Sequence, residues 1–215
     1  GRRDLAWRRS FGIEDDMPVV GFVGRLVMEK GLDVFSDAVD RLARRGVRHK
    51  VLIVGKGPAR EWFEKRLPDA VFAGYQCGED LGRAVASMDM LFNPSVTETF
   101  GNVTLEAMAA GLPVVAAIAT GSESLVADGV TGRLVRPGAI DLFCEALTHY
   151  CTDAEARKAA GEAGYQASQR YGWDAAWEGT PRSSGASRRR RQRTSRSMRR
   201  RRRGSRSGSA VACRR

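Results

Sequence analysis

The order of apolar runs predicts an α/β protein, a doubly wound parallel sheet with helices between its strands. Short apolar runs alternate with stretches of helical period, and the runs end at Gly, Pro or Asn. Val19-Val20-Gly21-Phe22-Val23 is the first run and stops at Gly24; Arg25 to Gly31 then form a loop. Leu32, Phe35, Val39 and Leu42 follow a 3.6-residue period that Gly46 ends. Val51-Leu52-Ile53-Val54 is the second strand and leads through Gly55-Lys56-Gly57 to Pro58, a favoured first helical residue, before Trp62, Phe63 and Leu67. Ala70-Val71-Phe72-Ala73 is the third strand, with Leu81, Val85 and Met88 marking the helix behind it. Met90-Leu91-Phe92 is the fourth, closed by Asn93-Pro94, and Val114-Val115-Ala116-Ala117 the fifth. A short helix over residues 122–128 capped by Gly129, a short strand within residues 131–135, a helix through Leu142, Ala146 and Tyr150, and another over 153–170 complete the pattern.

The stretch between the fourth and fifth strands carries the chemistry. Asn102 reads as the N-cap of a short helix that Gly111 and Pro113 stop, with Glu106 near its first turn and Glu98 in the loop before it. The amides of Phe100, Gly101, Asn102 and Val103 then sit at a helix N-terminus, where anions bind. In parallel sheets ligands bind beyond the carboxyl ends of the strands, so this stretch and the Arg25–Lys30 loop are expected to face one crevice. Two carboxylates and two cations around an amide cluster suit a phosphorylated, hydroxyl-rich ligand.

Other chemistries fit less well. Gly55-x-Gly57 lacks the third glycine of a dinucleotide fingerprint, since Arg60 stands there, and no acid ends the second strand. A paired-carboxylate hydrolase needs one raised pKa, whereas two cations and a helix N-terminus are expected to depress both. The sequence has no Asp-x-Asp cluster for a divalent metal.

Together, Val23-Gly24-Arg25-Leu26, Glu29-Lys30-Gly31, Glu98 with Glu106, Gly101-Asn102-Val103-Thr104-Leu105, the run from Leu105 to Val115, and Ala119-Thr120-Gly121-Ser122 resemble the retaining GT-B glycosyltransferases of family 4. The resemblance runs from about Val19 to Trp177, the Rossmann-like C-terminal domain that binds the donor, and looks most like bacterial mannosyltransferase-type members. It implies that Arg25 and Lys30 hold the donor diphosphate and that Gly24 lets the backbone approach it. Glu98 would bind the transferred sugar, the amides of Phe100, Gly101, Asn102 and Val103 the distal phosphate, and Glu106 the ribose. Arg25, Lys30 and Glu98 are thus the implied catalytic group, with no metal and no further cofactor. The implied donor is a GDP- or UDP-linked hexose, with mannose favoured and a glucose donor of the glycogen- or sucrose-synthase kind as the alternative. The implied acceptor is a lipid or glycan, bound by a separate N-terminal domain missing from this chain, so the chain is expected to be a fragment inactive alone.

Charge and composition set the boundaries. The formal net charge is +11, but fifteen Arg and no Asp, Glu or Lys fall within residues 179–215, leaving 21 basic against 25 acidic residues, or −4, in residues 1–178. The expected organisation is therefore a linker remnant over 1–18, a nucleotide-sugar-binding domain over 19–178, and a disordered Arg-rich tail over 179–215. A frameshift in GC-rich coding DNA is the preferred origin of that tail. The alternative is a basic arm that holds nucleic acid non-specifically, which would make this a nucleic-acid-binding protein. Cys77, Cys144, Cys151 and Cys213 lack zinc-site spacing and read as reduced thiols. No run approaches the ~20 apolar residues of a membrane span, and Gly1-Arg2-Arg3-Asp4 opens no signal peptide. The expected location is the cytoplasm, with the full enzyme associating peripherally with the inner membrane face.

Overall fold

The computed structural model describes residues 4–97 and 101–171. Glu98, Thr99 and Phe100, together with Trp173, Trp177 and the Arg-rich tail, lie outside the described residues. Six strands, β1 (Val19–Val23), β2 (Lys50–Val54), β3 (Val71–Gly74), β4 (Met90–Asn93), β5 (Val114–Ala117) and β6 (Gly132–Val135), form one sheet in the order β3-β2-β1-β4-β5-β6. Every pairing is parallel, β1 aligning with β2 from Val19↔Lys50 to Val23↔Val54 and with β4 at Val20↔Met90 and Gly21↔Leu91. The predicted strands are all present, with ends shifted by at most a residue.

Helices cover both faces, and the strands alternate between them. Val20, Phe22, Ile53, Phe92 and Val115 point to a core closed by α2 (Leu32–Arg44), α3 (Arg60–Arg66) and α7 (Ile140–Thr152). Val19, Leu52, Val54, Leu91 and Val114 point to the other, closed by α4 (Gly78–Ala86) and α5 (Asn102–Ala109). Phe35 lies at the centre of the first core, stacked on Phe92 at 4.8 Å and edge-on to Phe22 and Phe63. Fully burying such a ring stabilises the fold by about 1.5–3 kcal/mol. The last long helix, α8 (Ala154–Ser168), packs on α5 and α7.

Several local expectations are corrected. Pro58 precedes α3 by two residues, because Ala59 N–H instead donates to Leu26 O at 2.9 Å. The helix expected over 122–128 is a single turn, α6 (Thr120–Glu123), after which Val130 and Thr131 N–H both fold back onto Ala127 O. The segment read as a linker contains a helix, α1 (Leu5–Ser10), capped by Asp4 Oδ1 accepting from Trp7 N–H at 2.9 Å.

That helix is fastened by a buried arginine. Arg8 is fully buried; its Nη1 donates to Ser87 O and to Asp89 Oδ2, both at 3.1 Å, and its Nη2 to Glu14 O (3.0 Å) and Met17 O (2.5 Å). Asp89 Oδ2 also accepts Val19 N–H at 2.9 Å, and Arg157 Nε of α8 stands 3.8 Å from Oδ1. One carboxylate at the amino end of the sheet therefore joins α1, β1 and α8. A buried charge needs such partners to offset its desolvation.

Candidate functional site

The sheet order changes direction at β1, which lies between β2 and β4. Strands β1 and β4 are neighbours whose connections run to opposite faces, so a crevice opens beyond their carboxyl ends. The Arg25–Lys30 loop leaves β1 there, and the Pro94–Thr97 segment leaves β4.

The two segments touch. A single 3-10 turn, Met28–Lys30, ends at Gly31, whose φ of 71° is left-handed, and α2 starts immediately after it. A Cβ on Gly31 would lie 3.0 Å from Pro94 O, so a larger residue would push the loops apart. Thr97 Oγ1 donates to Glu29 O at 3.5 Å and pairs with Ser95 Oγ at 3.1 Å. Buried Asn93 orders this descent from β4, its Oδ1 accepting Ser95 N–H at 3.3 Å.

Arg25 stands at the mouth, its side chain 71% exposed and its Nη2 3.3 Å from Glu29 Oε1. Such an exposed pair contributes about 0–1 kcal/mol, so the guanidinium exchanges it for a better acceptor at little cost. Lys30 is half-buried on the same turn, and Gly24 has a φ of 156°. Among the sequence candidates, then, Gly24, Arg25 and Lys30 share the β1 loop.

On the β4 side, Asn102 is the first helical residue and not the cap. Gly101 occupies the cap position with φ 77°, a left-handed conformation in which no side chain caps the helix. A Cβ there would stand 2.9 Å from both Gly121 O and the Leu125 side chain, so the start of α5 sits close against α6. Ser122 holds that neighbouring turn, accepting Ala119 N–H at 3.1 Å. Asn102 is exposed and Val103 half-buried. Glu106 falls in the second turn of α5, one turn later than expected.

The expected depression of the Glu106 pKa is also corrected. Partial desolvation on α5 raises it above the ordinary carboxylate value, although the side chain still reaches solvent. Glu98 and Phe100 lie outside the described residues.

Sequence reasoning missed two features, one near this mouth and one at the far, amino end of the sheet. Lys56 Nζ lies 4.7 Å over the ring of Tyr75, bringing the loops after β2 and β3 together. It also missed the Arg8–Asp89 pair, although an acid directly before the apolar Met90-Leu91-Phe92 run was a usable signal. A groove bounded by Ile118, Arg133, Val135, Leu142 and Glu145 lies at the β6 edge and includes none of the candidate residues. Among the described residues no group of three His, Cys, Asp or Glu could hold a metal ion, and no disulfide joins Cys77, Cys144 and Cys151 to one another. Among the same residues no helix is long and apolar enough to cross a membrane.

Known proteins are similar to this chain over most of its length. The sulfoquinovosyl transferase SQD2 of Arabidopsis thaliana is 37% identical over 179 residues, covering 81% of this chain and 34% of that protein. A GDP-mannose-dependent alpha-mannosyltransferase of Corynebacterium glutamicum is 36% identical over 135 residues, 63% of this chain and 32% of that protein. The chain thus spans about a third of the length of both curated relatives. Among solved structures, Anabaena Alr3699/HepE, crystallised with UDP-glucose, matches with a TM-score of 0.69 at 26% identity, over 78% of this chain and 48% of that one. The family model described as "Glycosyl transferases group 1" matches residues 17–153, which include β1 to β6 and both loops of the crevice, and the chain belongs to that family, with the GT-B fold.

Proposed function

We propose that this domain holds the nucleotide-diphosphate sugar of a retaining hexosyltransferase, with mannose as the sugar transferred. The observation that carries this reading is the contact between the Glu29–Gly31 turn and the Pro94–Thr97 descent at the β1/β4 switch. It sets a cationic loop against the segment that descends from β4 towards α5, beyond parallel strand ends, and cations facing a helix N-terminus suit a diphosphate.

In the proposed reaction the bond between the anomeric carbon and the diphosphate oxygen breaks, and an acceptor oxygen takes its place on the same face. The acceptor's proton passes to the departing diphosphate, so no protein nucleophile is involved. Negative charge grows on the leaving group, and Arg25, Lys30 and the amino end of α5 are the groups assigned to stabilise it. Two fixed cations fill the role of a divalent metal, and the reaction is proposed to be metal-independent. Gly24 admits the backbone, Glu106 accepts from the ribose hydroxyls, and the resemblance gives Glu98 the sugar hydroxyls and Phe100 a phosphate amide.

Base choice is assigned to residues 74–81, where the exposed Tyr75 offers a ring face beside Lys56. The acceptor, a lipid or glycan, is assigned to a part of such enzymes outside the matched stretch. The proposed setting is the cytoplasm, at the membrane face. The mannosyl reading draws support from the Corynebacterium relative, and a glucosyl donor is the second reading, favoured by the UDP-glucose bound to the Anabaena protein.

Titration calorimetry of the 215-residue chain with GDP-mannose, UDP-glucose and UDP-GlcNAc tests the proposal. One donor is expected to bind, with Arg25→Ala and Glu106→Ala each weakening it by about tenfold or more, the worth of a lost charged hydrogen bond. Absence of binding by all three donors, or binding indifferent to both substitutions, overturns the reading. A preference for UDP-glucose selects the second reading. Deleting residues 179–215 is expected to leave donor binding unchanged while abolishing any affinity for nucleic acid.

A further inference from the structure

The pair Gly55-x-Gly57 is absent from the donor chemistry above, yet it makes the closest backbone approaches to the loop that carries Arg25. A Cβ on Gly55 would stand 1.8 Å from Gly24 O, and a Cβ on Gly57 would stand 2.3 Å from Leu26 O. Both contacts are to backbone, which has no rotamer by which to move aside. The two loops are also laced together beyond the ends of their strands. Gly24 N–H donates to Val54 O (3.0 Å), Leu26 N–H to Lys56 O (3.1 Å), and Ala59 N–H to Leu26 O (2.9 Å). Leu26 is fully buried while Arg25, one residue earlier, has its side chain 71% exposed. The loop is thus anchored on both sides of the arginine, at Gly24 and at Leu26, by a ladder that only side-chain-free residues in β2's loop allow.

From this we infer that Gly55 and Gly57 are positioning residues for Arg25: they fix the backbone from which its guanidinium reaches the diphosphate. The inference rests on the donor-site reading. Gly31 supplies the matching close approach on the β4 side, where its Cβ would meet Pro94 O, so the cationic loop is wedged between its two neighbours. An arginine on an untethered loop would have to be ordered at each binding event. One on a fixed backbone has only its own rotamers to order. Displacing that backbone by an ångström moves the fork of donors out of reach of its acceptor, an error that costs reacting groups up to about a hundredfold.

The test is a double-mutant cycle read by calorimetry on the 215-residue chain, with GDP, GMP, UDP and UMP as probes. Gly57→Ala is expected to weaken whichever diphosphate binds by about tenfold, and its monophosphate by less than about twofold, since the displaced arginine serves the diphosphate. In the Gly57→Ala background, Arg25→Ala is expected to add less than about twofold, because coupled residues lose one interaction between them. Equal weakening of both nucleotides by Gly57→Ala, or additive losses in the cycle, would overturn the inference. Should Gly57→Ala fail to give a cooperative thermal transition, Leu26→Val takes its place, loosening the same anchor while keeping the core filled. The same loss of diphosphate preference is then expected, and its absence is equally fatal. If the parent chain binds neither GDP nor UDP, the donor-site reading itself fails. If the parent binds and Arg25→Ala weakens it but Gly57→Ala does not, the positioning inference alone fails.

Discussion

Two arginine–carboxylate pairs lie at opposite ends of the same sheet, and their environments separate a structural charge from one proposed to bind a ligand. At the amino end, Arg8 and Asp89 meet at 3.1 Å with side-chain exposures of 0% and 2%. At the carboxyl end, Arg25 and Glu29 meet at 3.3 Å with exposures of 71% and 63%. The separations are nearly equal; the surroundings are not. Arg8 places its two terminal nitrogens against four oxygens from four different residues, all inside the fold, so neither can turn to a ligand without unfolding the segment around it. Arg25 pairs with one residue of its own turn, in water, where the pair holds it weakly. The fold fixes its charges at the bottom of the sheet and leaves them exchangeable at the top.

The strongest test of that contrast is Asp89→Ala. It leaves Arg8 buried without its counter-charge and is expected to destabilise the domain by about 3–5 kcal/mol, measured by urea unfolding. The paired change Arg8→Met with Asp89→Leu is expected to recover part of that loss, since an apolar pair has no charge to desolvate. A drop below about 0.5 kcal/mol for Asp89→Ala, as at ordinary surface sites, would erase the distinction.

Next in size is the complementary result at the other end. Arg25→Ala is expected to change unfolding free energy by no more than about 0.5 kcal/mol while weakening diphosphate binding by about tenfold or more. Loss of stability with retained binding would reverse the two roles.

Glu29→Gln is a finer probe. It removes the neighbour that occupies Arg25 in the free protein, so diphosphate binding is expected to tighten by up to about twofold, with stability changed by at most about 1 kcal/mol. A tenfold weakening would show that Glu29 orients the arginine.

The smallest effect concerns Glu106, whose folded pKa is raised by desolvation. A carboxyl with a raised folded pKa is least costly while protonated. Its favourable contribution is present below the unfolded value of about 4.3 and is lost as pH rises through the folded value. Glu106→Gln is therefore expected to be slightly more stable relative to the parent at pH 7 than at pH 4, in paired thermal melts. A parent stabilised by ionisation across that range would place a cation beside Glu106 and restore the depressed pKa first expected.

Much of the fold was legible because its signals are local. The apolar runs at residues 19–23, 51–54, 90–92 and 114–117 can only be strands buried on both faces, and the structure places them as the four central strands of the sheet. The loops proposed to bind the donor were marked out for the same reason: charge and glycine at the ends of parallel strands. The cap of α5 was misplaced because Asn102 has the chemistry of an N-cap, while Gly101 is set in a left-handed conformation by its contact with Gly121, 20 residues away in sequence.

The sequence by itself determined a doubly wound parallel domain, the family it resembles, and the two loops to which the donor residues are assigned. These follow from periodicity, strand-end glycines and motif spacing, all of which act over a few residues. Only the tertiary structure decided that Arg8 is internal and Arg25 external, that α1 belongs to the packed body, and that Gly55 and Gly57 are spaces for a neighbouring backbone. It also decided the direction in which Glu106 shifts. Each of these depends on desolvation or on close approach between segments distant in sequence, and neither quantity exists until the sheet has assembled.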